Sequence, residues 1–163
     1  MRILGVDPGS RVTGYGIIDV AGQNLGFVAC GTIRTTAEKD FFRRLYMIGS
    51  GLEAVIDQHR PERAAIEDVF MANNPNSALK LGQARGAAVM TMMRSGLDVA
   101  AYTPRRIKQA VVGYGQASKT QVQYMMQHLL ELDALPSSDA ADALAVALCH
   151  IYHLQNRSVA SAS

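Results

Sequence analysis

Residues Ile3 to Val6 are apolar without a break, and the run stops at Asp7-Pro8-Gly9-Ser10. A short run of this kind reads as a strand buried on both faces and closed by a turn. Thr13 to Val20 and Leu25 to Arg34 are two further strand candidates, parted by the turn Ala21-Gly22-Gln23-Asn24. The three predict an antiparallel meander. From Phe41 the period lengthens. Phe41, Phe42, Leu45, Ile48, Leu52, Val55 and Ile56 recur at helical spacing, and Arg60-Pro61 ends the pattern. Arg63 to Glu67 is a short strand with Ala64-Ala65-Ile66 as its apolar part.

Met71 to Asn76 reads as a loop, and a second helix follows from about Ser77 to Arg94. That helix carries Ala, Gly, Leu and Met on nearly every face, with Gly82 and Gly86 four residues apart. A helix apolar all round is covered on both sides. Either it is a central core helix, or it is a surface on which the chain associates with itself. Val99 to Tyr102 is a fifth strand. Thr103-Pro104 opens a short helix with Thr as N-cap and Pro at the first position, and Gly113-Tyr114-Gly115 breaks the chain after it. Ser118 and Gln121 form a capping box for the next helix, whose buried stripe is Val122, Met125, Met126, Leu129 and Leu130. Pro136-Ser137 introduces a last helix, from about Ser138 to Leu154. Residues 155–163 are small and polar and are expected to form a disordered tail after a single domain of residues 1–154. These elements predict an α/β fold, a mixed sheet flanked by helices. A crossover helix joins the meander to the fourth strand, which makes the first and fourth strands parallel.

A chain of 163 residues with 48% hydrophobic and 18% charged residues is long enough to bury a core and is not disordered by composition. A formal net charge of +2 says little about partners; the placement of the charges says more. Cys30 and Cys149 have no metal-ligand spacing, and no disulfide framework is indicated. No apolar run is long enough to span a bilayer, and the N-terminus has no signal-peptide pattern. A soluble cytoplasmic protein is the expectation.

Asp7 ends the first strand and Glu67 the fourth. Ligands of open sheets bind outside the carboxyl ends of parallel strands, so these two acids can face one crevice. Taken alone, Asp7 before Pro8-Gly9 is also ordinary turn chemistry. Asp139 and Asp142 stand at i and i+3, on one face of the last helix. Acids in a first turn can simply complement the helix dipole. These two lie in an apolar stretch, Ala140 to Ala147, where a charge is costly unless paired or bound to metal. Clustered carboxylates repel one another, and a hard divalent cation removes the repulsion. Two Mg2+ ions about 4 Å apart can activate water and stabilise the leaving oxygen of a phosphodiester; Mn2+ is an alternative. His150 and His153 continue roughly the same stripe, but most such histidines are helix-surface residues.

Arg105, Arg106 and Lys108 follow the cap at Thr103, and Lys119 follows the cap at Ser118. Positive charge in a first turn opposes the dipole, which suggests an anion site at these helix starts. A solvated basic surface is the other explanation. Gly113 and Gly115 would let a backbone come close. Phe70, just past Glu67 in a polar loop, can stack on an unpaired base or fold back on the core.

Four segments carry a resemblance: Gly5 to Gly16 (GVDPGSRVTGYG), Ile66 to Ala72 (IEDVFMA), Ser77 to Gly86 (SALKLGQARG) and Ser138 to Ala145 (SDAADALA). In order, over about residues 2–153, the chain resembles the RuvC family of bacterial Holliday-junction resolvases. The resemblance implies a ribonuclease H-like, five-stranded mixed sheet. It also implies a homodimer, built through the helix at about 77–94, that makes paired symmetric nicks in a four-way DNA junction. It implies Asp7, Glu67, Asp139 and Asp142 as ligands of two Mg2+ ions, and Lys108 and Lys119 as basic residues near the scissile phosphate. Phe70 is similar to the residue inserted beside the junction centre. Arg85 and Arg105 complete the candidate DNA contacts. The RuvA–RuvB branch-migration motor is the implied partner complex. An RNA-directed nuclease of similar fold, a sugar-kinase-like ATP site at Asp7-Pro8-Gly9-Ser10, and a junction-binding module without catalysis are the competing readings.

Overall fold

The computed structural model describes residues 1–69 and 74–160, with no account of the side chains of 158–160. Five strands form one sheet: β1 (Arg2–Asp7), β2 (Val12–Ala21), β3 (Asn24–Arg34), β4 (Arg63–Glu67) and β5 (Asp98–Tyr102). Their order is β3-β2-β1-β4-β5. The meander is antiparallel, β1 and β4 are parallel, and β5 runs parallel to β4. This is the mixed topology expected from the crossover between the meander and β4.

Alternation along the strands sends side chains to two cores. Leu4, Val6, Ile17, Ala64 and Ile66 face α1 (Phe41–His59) and α2 (Pro75–Arg94). Ile3, Ile18, Ala65 and Tyr102 face α3 (Pro104–Val112), α4 (Lys119–Leu129) and α5 (Ser138–Ala160). Asp7 and Glu67 are in step with Ile3 and Ala65, so both acids point to the α5 side.

The helix α5 lies against β1 and β2 with no side-chain layer between. A Cβ on Gly5 would meet the Ala143 carbonyl oxygen; one on Gly14 would meet that of Asp139; one on Gly16 would stand 2.7 Å from the Leu144 nitrogen. Three glycines thus let a helix rest directly on strand backbone. That seam fixes how far along the sheet the start of α5 sits.

Two helix boundaries differ from the sequence expectation. The helix α2 begins at Pro75, two residues earlier, because the Asn74 side chain accepts from the Ser77 N–H (2.8 Å) and Pro occupies the first turn. The last helix runs past Leu154 to Ala160, so residues 155–160 are helix rather than tail; Gln155 Nε2 donates to the Gly22 carbonyl oxygen (2.7 Å). At Gly115 the close approach is made by the stem of Arg105, 2.6 Å from where a Cβ would stand. Gly113 is instead the left-handed cap of α3 (φ 90°). The reciprocal capping box at Ser118 and Gln121 is present. The second helix is not a core helix. Only Ala84, Ala88 and Met92 of α2 are buried, while Leu79, Met90 and Met93 are exposed.

His150 is 5% exposed, and its Nδ1 lies 2.8 Å from the Tyr102 hydroxyl. Burial, with help from His153 and Arg63, pushes the imidazole down to about 4. The folded state therefore keeps it neutral where the unfolded chain would bind a proton. Its contribution is whole above pH 6.5 and is lost as pH falls towards 4. Replacing His150 with Gln is expected to flatten the acid limb of the unfolding curve between pH 6.5 and 4, by about 2–3 kcal/mol at the low end. Urea unfolding at stepped pH checks this; parallel limbs for the two proteins would refute it.

Candidate active site

A cleft of about 250 Å³ opens at the carboxyl ends of β1 and β4, under the starts of α3, α4 and α5. Asp7, Glu67 and Asp142 line it, together with Asp68, Lys108 and Lys119; Leu81, Ile107 and Val122 supply apolar wall. Asp139 lies just outside this lining, one turn before Asp142, and its charge still acts on Asp7 and Asp142. The glycine seam brings α5 down onto β1, and so brings the two helical acids to the two strand-end acids.

The electrostatics are those of crowded, buried carboxylates. Burial, then the charges of Glu67 and Asp142, push Asp7 up to about 8, and it shares a hydrogen bond with Glu67. Glu67 is raised by burial and by Asp142, and lowered by that hydrogen bond and by Lys108 and Lys119. Asp142 is raised by burial and Asp139, against Lys119 and Lys108. Lys119 Nζ stands 3.7 Å from Asp142 Oδ2; the lysine is 70% exposed and the acid 20%. Both lysines expected from the sequence are therefore at the acids.

The donor set is all carboxylate oxygen, with neither thiol nor imidazole in the cleft wall. That chemistry suits a hard divalent ion such as Mg2+ or Mn2+ and not Zn2+. The buried, mutually repelling acids also fit a cation. As the side chains stand, no three acid, imidazole or thiol groups among the described residues are drawn together closely enough to clasp an ion. Asp142 is instead paired with Lys119.

The remaining candidates are placed as follows. Phe70 lies outside the described residues. Arg105 is exposed and rests on Gly115, outside the cleft lining. Arg85 is turned into the protein: its Nε donates to the Glu67 carbonyl oxygen (3.3 Å), and Nη2 pairs with Asp68 Oδ1 (3.1 Å). His150 and His153 line a separate groove beside β5, where His153 Nδ1 lies 2.9 Å from Arg106 Nη2. Asp68 was missed by sequence reasoning, although it stands directly after Glu67. Beside a stronger candidate it had no periodicity or cap to single it out.

The family model for the crossover junction endodeoxyribonuclease RuvC matches residues 3–150. The chain belongs to the RuvC family. It is 56% identical to the RuvC of Acinetobacter baylyi over 150 residues, covering 92% of this chain and 82% of that protein. With the Geobacter sulfurreducens RuvC it shares 54% over 150 residues, 92% of each. The solved structure of T. thermophilus RuvC in complex with Holliday junction substrate matches with a TM-score of 0.89 at 32% identity, over 96% of each chain. The RuvC match and the five-stranded mixed sheet together make the fold ribonuclease H-like, as the resemblance implied. A sugar-kinase-like ATP site at Asp7 is set aside by membership of this family. Among the described residues, no helix is long and apolar enough to cross a membrane.

Proposed function

We propose that this chain is a divalent-metal-dependent endonuclease that resolves four-way DNA junctions, working as a homodimer that makes paired, symmetric nicks. The observation that carries the reading is the cleft in which Asp7, Glu67 and Asp142, with Asp139 beside them, meet Lys108 and Lys119. Asp7, Glu67, Asp139 and Asp142 would hold Mg2+, two ions per site, with Mn2+ as a substitute. The ions, when bound, supply the Lewis acid for the phosphate and lower the pKa of water.

The protein's own groups do the rest. Leu81, Ile107 and Val122 wall the cleft with apolar surface beside the acids. Lys119, exposed and tied to Asp142 by a single long ion pair, is free to turn to a phosphate oxygen. Lys108, in the second turn of α3, adds positive charge to the cleft wall. Arg105 at the rim and Phe70 past Glu67 are the further DNA contacts of this reading.

Self-association is supported by an uncovered apolar face. Leu79, Met90 and Met93 of α2 and Phe42 and Tyr46 of α1 are exposed on the same side of the sheet. Gly82 and Gly86 have nothing within 4 Å of an added Cβ, which leaves room for a second backbone. By the family resemblance, the branch-migration partner is the RuvA–RuvB motor, and the compartment is the cytoplasm.

The test offers the protein a synthetic four-way DNA junction, a linear DNA duplex and an RNA–DNA hybrid, each with Mg2+ and with chelator. Cutting of the junction alone, at symmetric positions in strands of like polarity and only with Mg2+, is expected. Preference for the hybrid would make this an RNA-directed nuclease instead. Tight junction binding without cutting would make it a binding module.

A further inference from the structure

We infer that Arg85 is a positioning residue for Glu67, bracing the end of β4 against α2, and not a DNA contact. The inference rests on the reading of Glu67 as a metal ligand. One guanidinium grips two successive residues, the carbonyl of Glu67 through Nε and the carboxylate of Asp68 through Nη2. Two fixed points on a planar group set direction as well as distance. On the other side, the Asp68 N–H donates to the Tyr102 carbonyl oxygen (2.8 Å). The turn that carries Glu67 is therefore clamped between β5 and α2.

The surroundings agree with a brace. Leu81, four residues before Arg85 and on the same stripe of α2, lines the cleft. Arg85 is only 27% exposed, and its charge is met by Asp68, so it offers little to a phosphate. Lys119, 70% exposed, is the contrasting case. Holding the Glu67 backbone from two sides fixes the point from which its side chain reaches the cleft. A lysine at the same place keeps the charge but cannot make both contacts.

The test compares the full chain with its Arg85→Gln and Arg85→Lys variants in three measurements. Calorimetry without DNA reads Mn2+ affinity. Single-turnover assays read the cutting rate across Mg2+ concentrations. Titration in chelator, at several salt concentrations, reads junction affinity. Arg85→Gln is expected to weaken Mn2+ binding and slow cutting about 10–100-fold, as loss of outer support for a metal ligand does. High Mg2+ is expected to restore part of the rate, and Arg85→Lys to fall between the two. Junction affinity and its salt dependence are expected to stay as they are. Unchanged Mn2+ binding and cutting would overturn the inference. So would weaker junction binding with a salt slope lower by about one, the mark of a lost phosphate contact. Should Arg85→Gln fail to fold, Asp68→Asn removes the ion pair and must move Mn2+ affinity in the same direction. A wild type that binds Mn2+ but cuts no junction refutes the proposed function, and the ion-binding comparison still decides Arg85. A wild type that binds no ion refutes this inference.

Discussion

Replacing Asp7 with Asn is expected to abolish junction cutting, by at least about a hundredfold, while making the cation-free protein more stable. The two effects have one cause. Asp7 is held at about 8 by burial and by Glu67 and Asp142, against an ordinary value of 3.8. The folded chain thus keeps a proton that the unfolded chain releases. Between those values the native state binds more protons, so stability falls as pH rises from 4 to 8. Asn carries no charge at any of these pH values and removes that loss. In chelator, the variant is expected to exceed wild type by a few kcal/mol near pH 8, with the gap closing towards pH 4. Mg2+ should raise the unfolding midpoint of wild type and leave that of the variant nearly unchanged. Junction binding in chelator should survive. Thermal unfolding across pH, with and without Mg2+, reads all of this. A variant less stable than wild type at pH 8 in chelator would mean that Asp7 is not under repulsion in the fold.

Gly14→Ala is expected to be more damaging than its size suggests, costing about 3 kcal/mol or more. The added methyl would meet the carbonyl oxygen of Asp139, and the Asp139 carbonyl carbon at 2.7 Å. Both are backbone atoms of α5, so no side chain can swing aside. The helix start must lift from β2, and Asp139 and Asp142 move with it. Cutting should fall together with stability, and more Mg2+ should not rescue it. Gly26→Ala is the control: an added Cβ there meets only Asp19 atoms, at 3.8–3.9 Å. Urea unfolding and single-turnover cutting of both variants check the prediction. A Gly14→Ala protein as stable as the Gly26→Ala control would mean that the seam is not close-packed.

The elements that follow local rules were legible in the chain. Thr103-Pro104 and the Ser118–Gln121 box marked two helix starts, because a side-chain cap lies within three residues of what it caps. The buried run Ile3–Val6 and the strand Arg63–Glu67 were legible because a centrally placed strand is apolar on both faces. The start of α2 was missed because Asn74-Pro75 sits inside a polar stretch that reads equally well as loop. The end of α5 was missed because residues 155–160 carry no apolar period of their own.

What the sequence determined by itself was the set of parts: the strands and helices in order, acids at two strand ends and on one helical face, and lysines on the two helices capped by Thr103 and Ser118. Each rests on neighbours a few residues apart. Only the tertiary structure decided the relations among parts far apart in the chain. It set α5 on the glycines of β1 and β2, which brings Asp142 into the cleft of Asp7 and Glu67. It turned Arg85 inward to Glu67 and Asp68, and left the outer stripe of α2 uncovered. Such contacts join residues tens of positions apart. They depend on backbone approach and packing distance, and no local pattern along the chain records either.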